Sequence, residues 1–244
     1  DIVSKCRRQR SGFFRLQQLM SMDVEIRAVV FDLDGTMLNT EDIFELAGQQ
    51  LMVRRGLQMT DSIRRAMLGR RPYEAFTALK SLTSLPDKIE DLMAETKQIF
   101  GTLAENSLAI MPGLSEILSI TQARQLPRAV ATSSPRAYLQ WLLQKLQLEQ
   151  HFEFALTAED VTHGKPHPEI YELAARRLGV HPSQMLVLED SETGTQAAAA
   201  AGAFVVAVPN RHTDYGDFSM SHLRIDSLLD PRLHTLLHGL SHTS

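Results

Sequence analysis

"VVFDLDGTMLNTE", residues 29–41, decides the fold. Apolar residues run directly into Asp32 and Asp34, and Gly35 and Thr36 follow. Read backwards, the run begins in "IRAVVFDLD", a nearly continuous apolar stretch. Such a stretch predicts a strand covered on both faces, as in a parallel sheet. Its end is costly. Two carboxylates close together repel, and each raises the other's pKa unless a cation offsets them. The stretch therefore predicts a buried strand that delivers two acids to a cation.

Working outward, further strands are expected at 128–134 ("RAVATSS"), 152–158 ("FEFALTA"), 184–190 ("QMLVLED") and 203–209 ("AFVVAVP"). Helical patterns separate them. Tyr138, Leu142 and Leu146 recur at helical spacing. "PEIYELAARRLG" opens at Pro168 and stops at Gly179, and "SETGTQAAAAAG" opens on cap-forming residues and stops at Gly202. Alternation of this kind implies right-handed crossovers and a doubly wound parallel α/β sheet. Residues 41–105 carry no strand pattern. Ile43, Leu46, Ala47 and Leu51 share one helical face, and Ile89, Leu92, Met93, Thr96, Phe100 and Leu103 share another. So long a gap between strands reads as a helical insert. The expected division is an N-terminal extension at 1–24, a core of 25–38 with 113–244, and a helical domain at 39–112. The C-terminal "SLLDPRLHTLLHGL" reads as an amphipathic helix packed on the sheet.

In an open α/β sheet, ligands bind beyond the carboxyl ends of the strands. Those ends carry Asp32 and Asp34, then Thr132, Ser133 and Ser134, then Gly164 and Lys165 in the loop after the third strand, then Glu189 and Asp190. Together they suit a phosphate site. Mg²⁺ takes oxygen ligands from one or two carboxylates, with water and phosphate completing the octahedron. Asp32 and Asp190 are the natural side-chain ligands, with Glu189 direct or through water. The Thr132 hydroxyl can hydrogen-bond a phosphoryl oxygen, and Lys165 can neutralise charge on the phosphoryl group. The backbone N–H groups around Leu33–Gly35 add donors. A carboxylate nucleophile forming an aspartyl-phosphate is an established route for phosphoryl transfer.

"DLDGT" (32–36), "ATSS" (131–134), "GKPHPEIY" (164–171) and "LEDSETG" (188–194) resemble, in order, the four motifs of the haloacid dehalogenase superfamily. The resemblance covers roughly residues 26–226. It implies Asp32 as nucleophile, Asp34 as general acid/base, and Thr132 and Lys165 as phosphate binders. It also implies Mg²⁺ held by Asp32, the Asp34 carbonyl, Asp190 and Glu189. A helical insert just after the first motif resembles the cap of the β-phosphoglucomutase-like subgroup, which closes over the site and selects the substrate.

The superfamily runs several chemistries. Asp34 argues against a haloacid dehalogenase, whose pattern lacks an acid there. A phosphonatase would need a cap lysine for a Schiff base, and Lys80, Lys88 and Lys97 show no sign of that role. A β-phosphoglucomutase carries a cap histidine where this chain has Phe44, and a cap-loop arginine where it has Pro72. The favoured reading is a Mg²⁺-dependent phosphatase for a small phosphorylated metabolite, a sugar phosphate or nucleoside monophosphate. A sugar phosphate mutase is the alternative. From a different class, a non-catalytic phospho-acceptor or binding module stays open, although receiver domains are shorter and lack a helical insert.

Six arginines fall in residues 54–71. Arg54, Arg55, Arg64 and Arg65 read as solvated helix faces. Arg70 and Arg71, in "LGRRPYEAF", fall on a loop before a helix that starts near Pro72, and are candidate substrate contacts together with Ser133 and Arg136. His163 and His167 flank Lys165 and read as loop or capping groups.

Composition excludes other classes. A formal net charge of −4 over 244 residues gives no basic surface for nucleic acid or membrane. No apolar run approaches the ~18 residues that cross a bilayer. Cys6 is the single cysteine, so no intramolecular disulfide forms, and a reducing, cytoplasmic setting is expected. Residues 1–21 carry five cationic residues against Asp1, and read as an upstream extension or, alternatively, an organelle transit segment. A monomer is expected.

Overall fold

The computed structural model describes residues 25–67 and 72–238. The expected N-terminal extension, Cys6, Arg70 and Arg71 lie outside the described residues. The chain divides into two compact units: Asn39–Ala109, and the flanking segments up to Leu38 and from Ile110.

The flanking segments form an α/β unit. β1 (Ala28–Phe31) is buried along its whole length, as its unbroken apolar run requires. In the insert follow α1 (Thr40–Val53), α2 (Asp61–Met67), α3 (Pro72–Thr83) and α4 (Ile89–Ser107). The sheet unit resumes with α5 (Leu114–Ala123), β2 (Arg128–Ala131), α6 (Arg136–Lys145) and β3 (Phe154–Leu156). Then come α7 (Glu169–Leu178), β4 (Met185–Glu189), α8 (Glu192–Ala200), β5 (Phe204–Ala207), β6 (Leu223–Arg224) and α9 (Pro231–His238).

The six strands lie in the order β3-β2-β1-β4-β5-β6, and every pair is parallel. The chain builds outward from β1 on one side, then crosses back to build on the other. This reversal puts a crevice at the carboxyl ends of β1, β2 and β4, where open sheets bind ligands. Register fixes its floor: Phe31 pairs with Leu188 and Val130, so Asp32, just past β1, lies level with Ala131 and Glu189, which end β2 and β4. One face of the sheet is closed by Ile170, Tyr171, Ala174 and Ala175 of α7 and Ala197 and Ala198 of α8, packed on Val30, Ala129, Val187 and Val205.

Caps follow the sequence with small shifts. Pro168 is the residue before the helix rather than its first member, and Gly179 ends α7 in the left-handed region. The Ser191 hydroxyl accepts the Gly194 N–H at the start of α8. β6 was not legible as a strand. It has two residues, one of them exposed, so neither an apolar run nor alternation marks it. The C-terminal helix α9 packs on α5, with the Arg124 guanidinium donating to the Leu237 carbonyl at 2.6 Å.

In the helical unit, α1 lies on α4. Ile43, Ala47 and Leu51 are buried as expected, but Leu46 is 42% exposed. Phe44 packs on Phe100, ring centroids 4.3 Å apart. Asn39 joins the two ends of the unit: its side chain accepts the Ala109 N–H at 2.8 Å and donates to the Ser107 carbonyl at 2.9 Å. In the sheet unit next to them, Leu38 bridges Ile110, and Met111 N–H donates to the Met37 carbonyl.

Arg54, Arg55 and Arg64 are not simply solvated. Arg54 pairs with Glu95 at 2.8 Å and Arg64 with Glu45 at 2.7 Å. Arg55, only 15% exposed, bonds Asp87 at 2.6 Å and Glu95 at 2.7 Å. Those acids lie 32 and 40 positions away, so no local spacing reveals them. The Arg55 hydrogen bonds hold both carboxyls below their ordinary range. Depressed carboxylate pKa values stabilise above the unfolded values of about 4, and that contribution is lost as pH falls below them. Arg55→Ala is expected to cost about 1–3 kcal/mol at neutral pH, and the deficit against wild type should shrink in chemical denaturation below about pH 4.

Candidate active site

The end of β1 sets Asp32 at the base of the crevice, 7% exposed. The loop before α7 brings in Lys165, whose Nζ donates to Asp32 Oδ1 at 2.7 Å, Glu189 Oε1 at 2.6 Å and the Ala131 carbonyl at 3.0 Å. Three strand ends are thus tied by one ammonium. The Tyr171 hydroxyl of α7 donates to Glu189 Oε1 at 2.5 Å. The Ser191 hydroxyl donates to Oε2 at 3.0 Å. Asp190 accepts from Thr36 Oγ1 at 3.3 Å, Asn210 Nδ2 at 2.8 Å and Thr213 Oγ1 at 3.4 Å.

Burial pushes the Asp32 carboxyl well above the usual range, and Glu189 and Asp34 add repulsion that Lys165 opposes. For Lys165, burial disfavours the ammonium, but attraction from Asp32 and Glu189 outweighs it and its pKa is raised. Burial and the adjacent Glu189 likewise hold the Tyr171 phenol protonated.

Asp34 forms a neighbouring group. It accepts from Ser134 Oγ at 2.6 Å, Tyr138 Oη at 3.0 Å and Thr132 Oγ1 at 3.5 Å. The turn after β2 makes this possible, since the Ser134 N–H donates to the Thr132 hydroxyl. Ser134, not Ser133, reaches Asp34; Ser133 is exposed. Arg136 is engaged elsewhere: its guanidinium pairs with Asp160 at 2.7 Å, and its backbone N–H donates to Glu159. Tyr138, which recurs with Leu142 and Leu146 at helical spacing, sits one turn beyond Ser134 and turns its hydroxyl to Asp34. Tyr171 closes the third motif and was equally findable there. Asn210 and Thr213 lie past β5, where no pattern marks them.

Asp32, Glu189 and Asp190 present oxygens within 4.8 Å of one another, all buried. With Lys165 they leave a formal charge of −2 when ionised. An all-oxygen, anionic, buried set fits a hard divalent cation. Glycines keep the room tight. A Cβ on Gly35, whose φ is 77°, would sit 2.5 Å from Asp190 Oδ2. One on Gly194 would sit 1.9 Å from Glu189 Oε1.

The family model for "Haloacid dehalogenase-like hydrolase" matches residues 29–208. The chain belongs to that family. It is an enzyme of the hydrolase type. A "Phosphorylated carbohydrates phosphatase" of Thermotoga maritima is 32% identical, over 72% of this chain and 82% of that protein. A "Validoxylamine A 7'-phosphate phosphatase" of Streptomyces hygroscopicus subsp. limoneus is 35% identical, over 76% of this chain and 87% of its own. The crystal structure of a candidate beta-phosphoglucomutase from Thermotoga maritima superposes with a TM-score of 0.75 at 28% identity, covering 86% of this chain and 98% of that one. This haloacid dehalogenase-like hydrolase thus shares the parallel-sheet core of solved members of its family.

Gly194→Ala is expected to cost about 1–3 kcal/mol, because the buried Glu189 carboxylate must move. Gly101→Ala in α4, where a Cβ meets nothing within 4 Å, should instead be neutral or stabilise by up to about 1 kcal/mol. Thermal unfolding of the two variants side by side checks both.

Proposed function

We propose that this chain is a Mg²⁺-dependent phosphatase acting on a small phosphorylated metabolite through an aspartyl-phosphate. The observation that carries the reading is the gathering of Asp32, Lys165, Glu189 and Asp190 at adjoining strand ends, with Asp34 beside them. Asp32, Asp190, Glu189 and the Asp34 carbonyl are the groups to hold Mg²⁺. When bound, the ion supplies positive charge that offsets the acids and the phosphoryl oxygens.

Asp32 attacks phosphorus and forms the acyl-phosphate bond as the bond to the leaving oxygen breaks. Asp34 donates its proton to that oxygen, releasing the alcohol. Asp34, now ionised, takes a proton from water as the water oxygen attacks the phosphorus of the acyl-phosphate. The Asp32–phosphate bond breaks, inorganic phosphate leaves, and both carboxyls return to their starting states. Lys165 holds Asp32 in place and neutralises charge on the transferring group, and Thr132 donates to a phosphoryl oxygen. Ser134 and Tyr138 orient the Asp34 carboxyl. Arg70 and Arg71 are the proposed substrate contacts.

The name of one relative, a "Phosphorylated carbohydrates phosphatase", supports a sugar phosphate substrate over a nucleoside monophosphate. Phosphate release is measured on a panel of sugar phosphates, nucleoside monophosphates, phosphoglycolate and β-glucose 1-phosphate, with and without Mg²⁺. Release should require Mg²⁺ and fall at least about 10³-fold in Asp32→Asn. Asp34→Asn should lose about 10²–10⁴-fold in kcat. Release that persists in Asp32→Asn overturns the mechanism. Conversion of β-glucose 1-phosphate to the 6-phosphate without release replaces it with a mutase.

A further inference from the structure

The loop that presents Lys165 carries a second set of ligand atoms. One atom each from His163, His167 and Glu169 lies within 4.8 Å of the others. The two imidazoles face each other, ring centroids 4.6 Å apart and 33° from coplanar. His163 Nδ1 lies 3.1 Å from Glu169 Oε2. The set differs in kind from the buried acids. It offers two nitrogens and one oxygen, it is open to solvent, and it spans seven consecutive residues.

We propose that His163, His167 and Glu169 form a second metal site, for a borderline divalent transition ion such as Zn²⁺, Ni²⁺ or Cu²⁺. Imidazole nitrogen suits these ions, whereas Mg²⁺ takes oxygen. Around a tetrahedral ion with bonds of about 2.0–2.1 Å, neighbouring donors sit about 3.3 Å apart. Side-chain rotation of two exposed histidines closes the remaining distance. The carboxylate is already oriented, because Glu169 accepts the N–H groups of Thr162 at 2.9 Å and His163 at 2.8 Å. Such backbone bonds to a ligating carboxylate fix it and are part of a working site. His167 Nδ1 accepts only a long 3.3 Å bond from the Glu169 N–H, which ligation displaces. The one cation in the segment does not oppose an ion, since the Lys165 ammonium is buried against Asp32 and Glu189. An ion held here ties together both sides of the segment that presents Lys165, which stands two residues from each histidine.

The test is equilibrium dialysis of Zn²⁺ against the full, tag-free chain in excess Mg²⁺, with bound metal counted. Wild type, Asp190→Asn and the double variant His163→Ala/His167→Ala are compared, with His167→Gln as a milder change. Circular dichroism confirms that each is folded. The site predicts one Zn²⁺ retained by wild type and by Asp190→Asn, and binding at least about tenfold weaker in both histidine variants. Retention unchanged in the histidine variants, or lost in Asp190→Asn alone, assigns the ion elsewhere and overturns the proposal. No retention by wild type overturns it equally. None of these outcomes depends on phosphatase activity, so the proposal and the functional reading fail separately.

Discussion

The Lys165 ammonium, set between the carboxylates of Asp32 and Glu189, is the interaction on which the rest of this structure depends. A buried carboxylate is costly unless paired and hydrogen-bonded. Two of them at adjoining strand ends are tolerable only because one cation reaches both and also bonds the Ala131 carbonyl. That single group fixes the ends of β1, β2 and β4 relative to one another. It also dictates its own surroundings. The loop before α7 must fold inward, Tyr171 must turn its hydroxyl to Glu189, and residue 194 must lack a side chain. The arrangement still leaves excess negative charge, and that excess suits the cluster to a hard cation.

How much of this was legible depended on whether the physics was local. β1 announced itself because a strand covered on both faces must be apolar throughout, and its terminal acids were anomalous enough to direct attention. Lys165, Glu189 and Asp190 followed from the rule that strand ends converge. The failures have a common origin. Arg55 and Arg64 looked solvated because their acids come from other helices. The bond from Ser134 to Asp34 was hidden because the direction of a hydroxyl in a turn depends on backbone angles that residue types do not report. Tyr138 fitted the helical spacing of its neighbours, and spacing does not report the polar task at its tip. β6 is held by pairing to β5, with too few residues to carry a pattern of its own.

The two acids of the first motif, two residues apart, are held in different ways. Asp32 is buried and fixed by charge. Asp34 is only partly buried and receives hydroxyl donors from the turn after β2 and from α6. In the proposed mechanism Asp32 forms a bond with phosphorus, and such a group benefits from a rigid, desolvated setting. Asp34, which exchanges a proton in that proposal, needs hydrogen-bond partners that tolerate both of its states, and hydroxyls can reverse their role as donor and acceptor.

The junction at Asn39 carries a different consequence. The helical unit spans Asn39–Ala109, yet its two ends leave side by side, joined by the Asn39 amide and by the Leu38–Ile110 bridge just outside. Seen from the sheet, 71 residues are therefore equivalent to a short hairpin. The entropy of closing such a connection is set at the neck, and the length beyond it adds only logarithmically. An insertion, a deletion or a wholesale exchange of helices beyond the neck leaves the chain statistics of the core nearly untouched. Lineages descended from such a chain can revise their helices while inheriting their sheet.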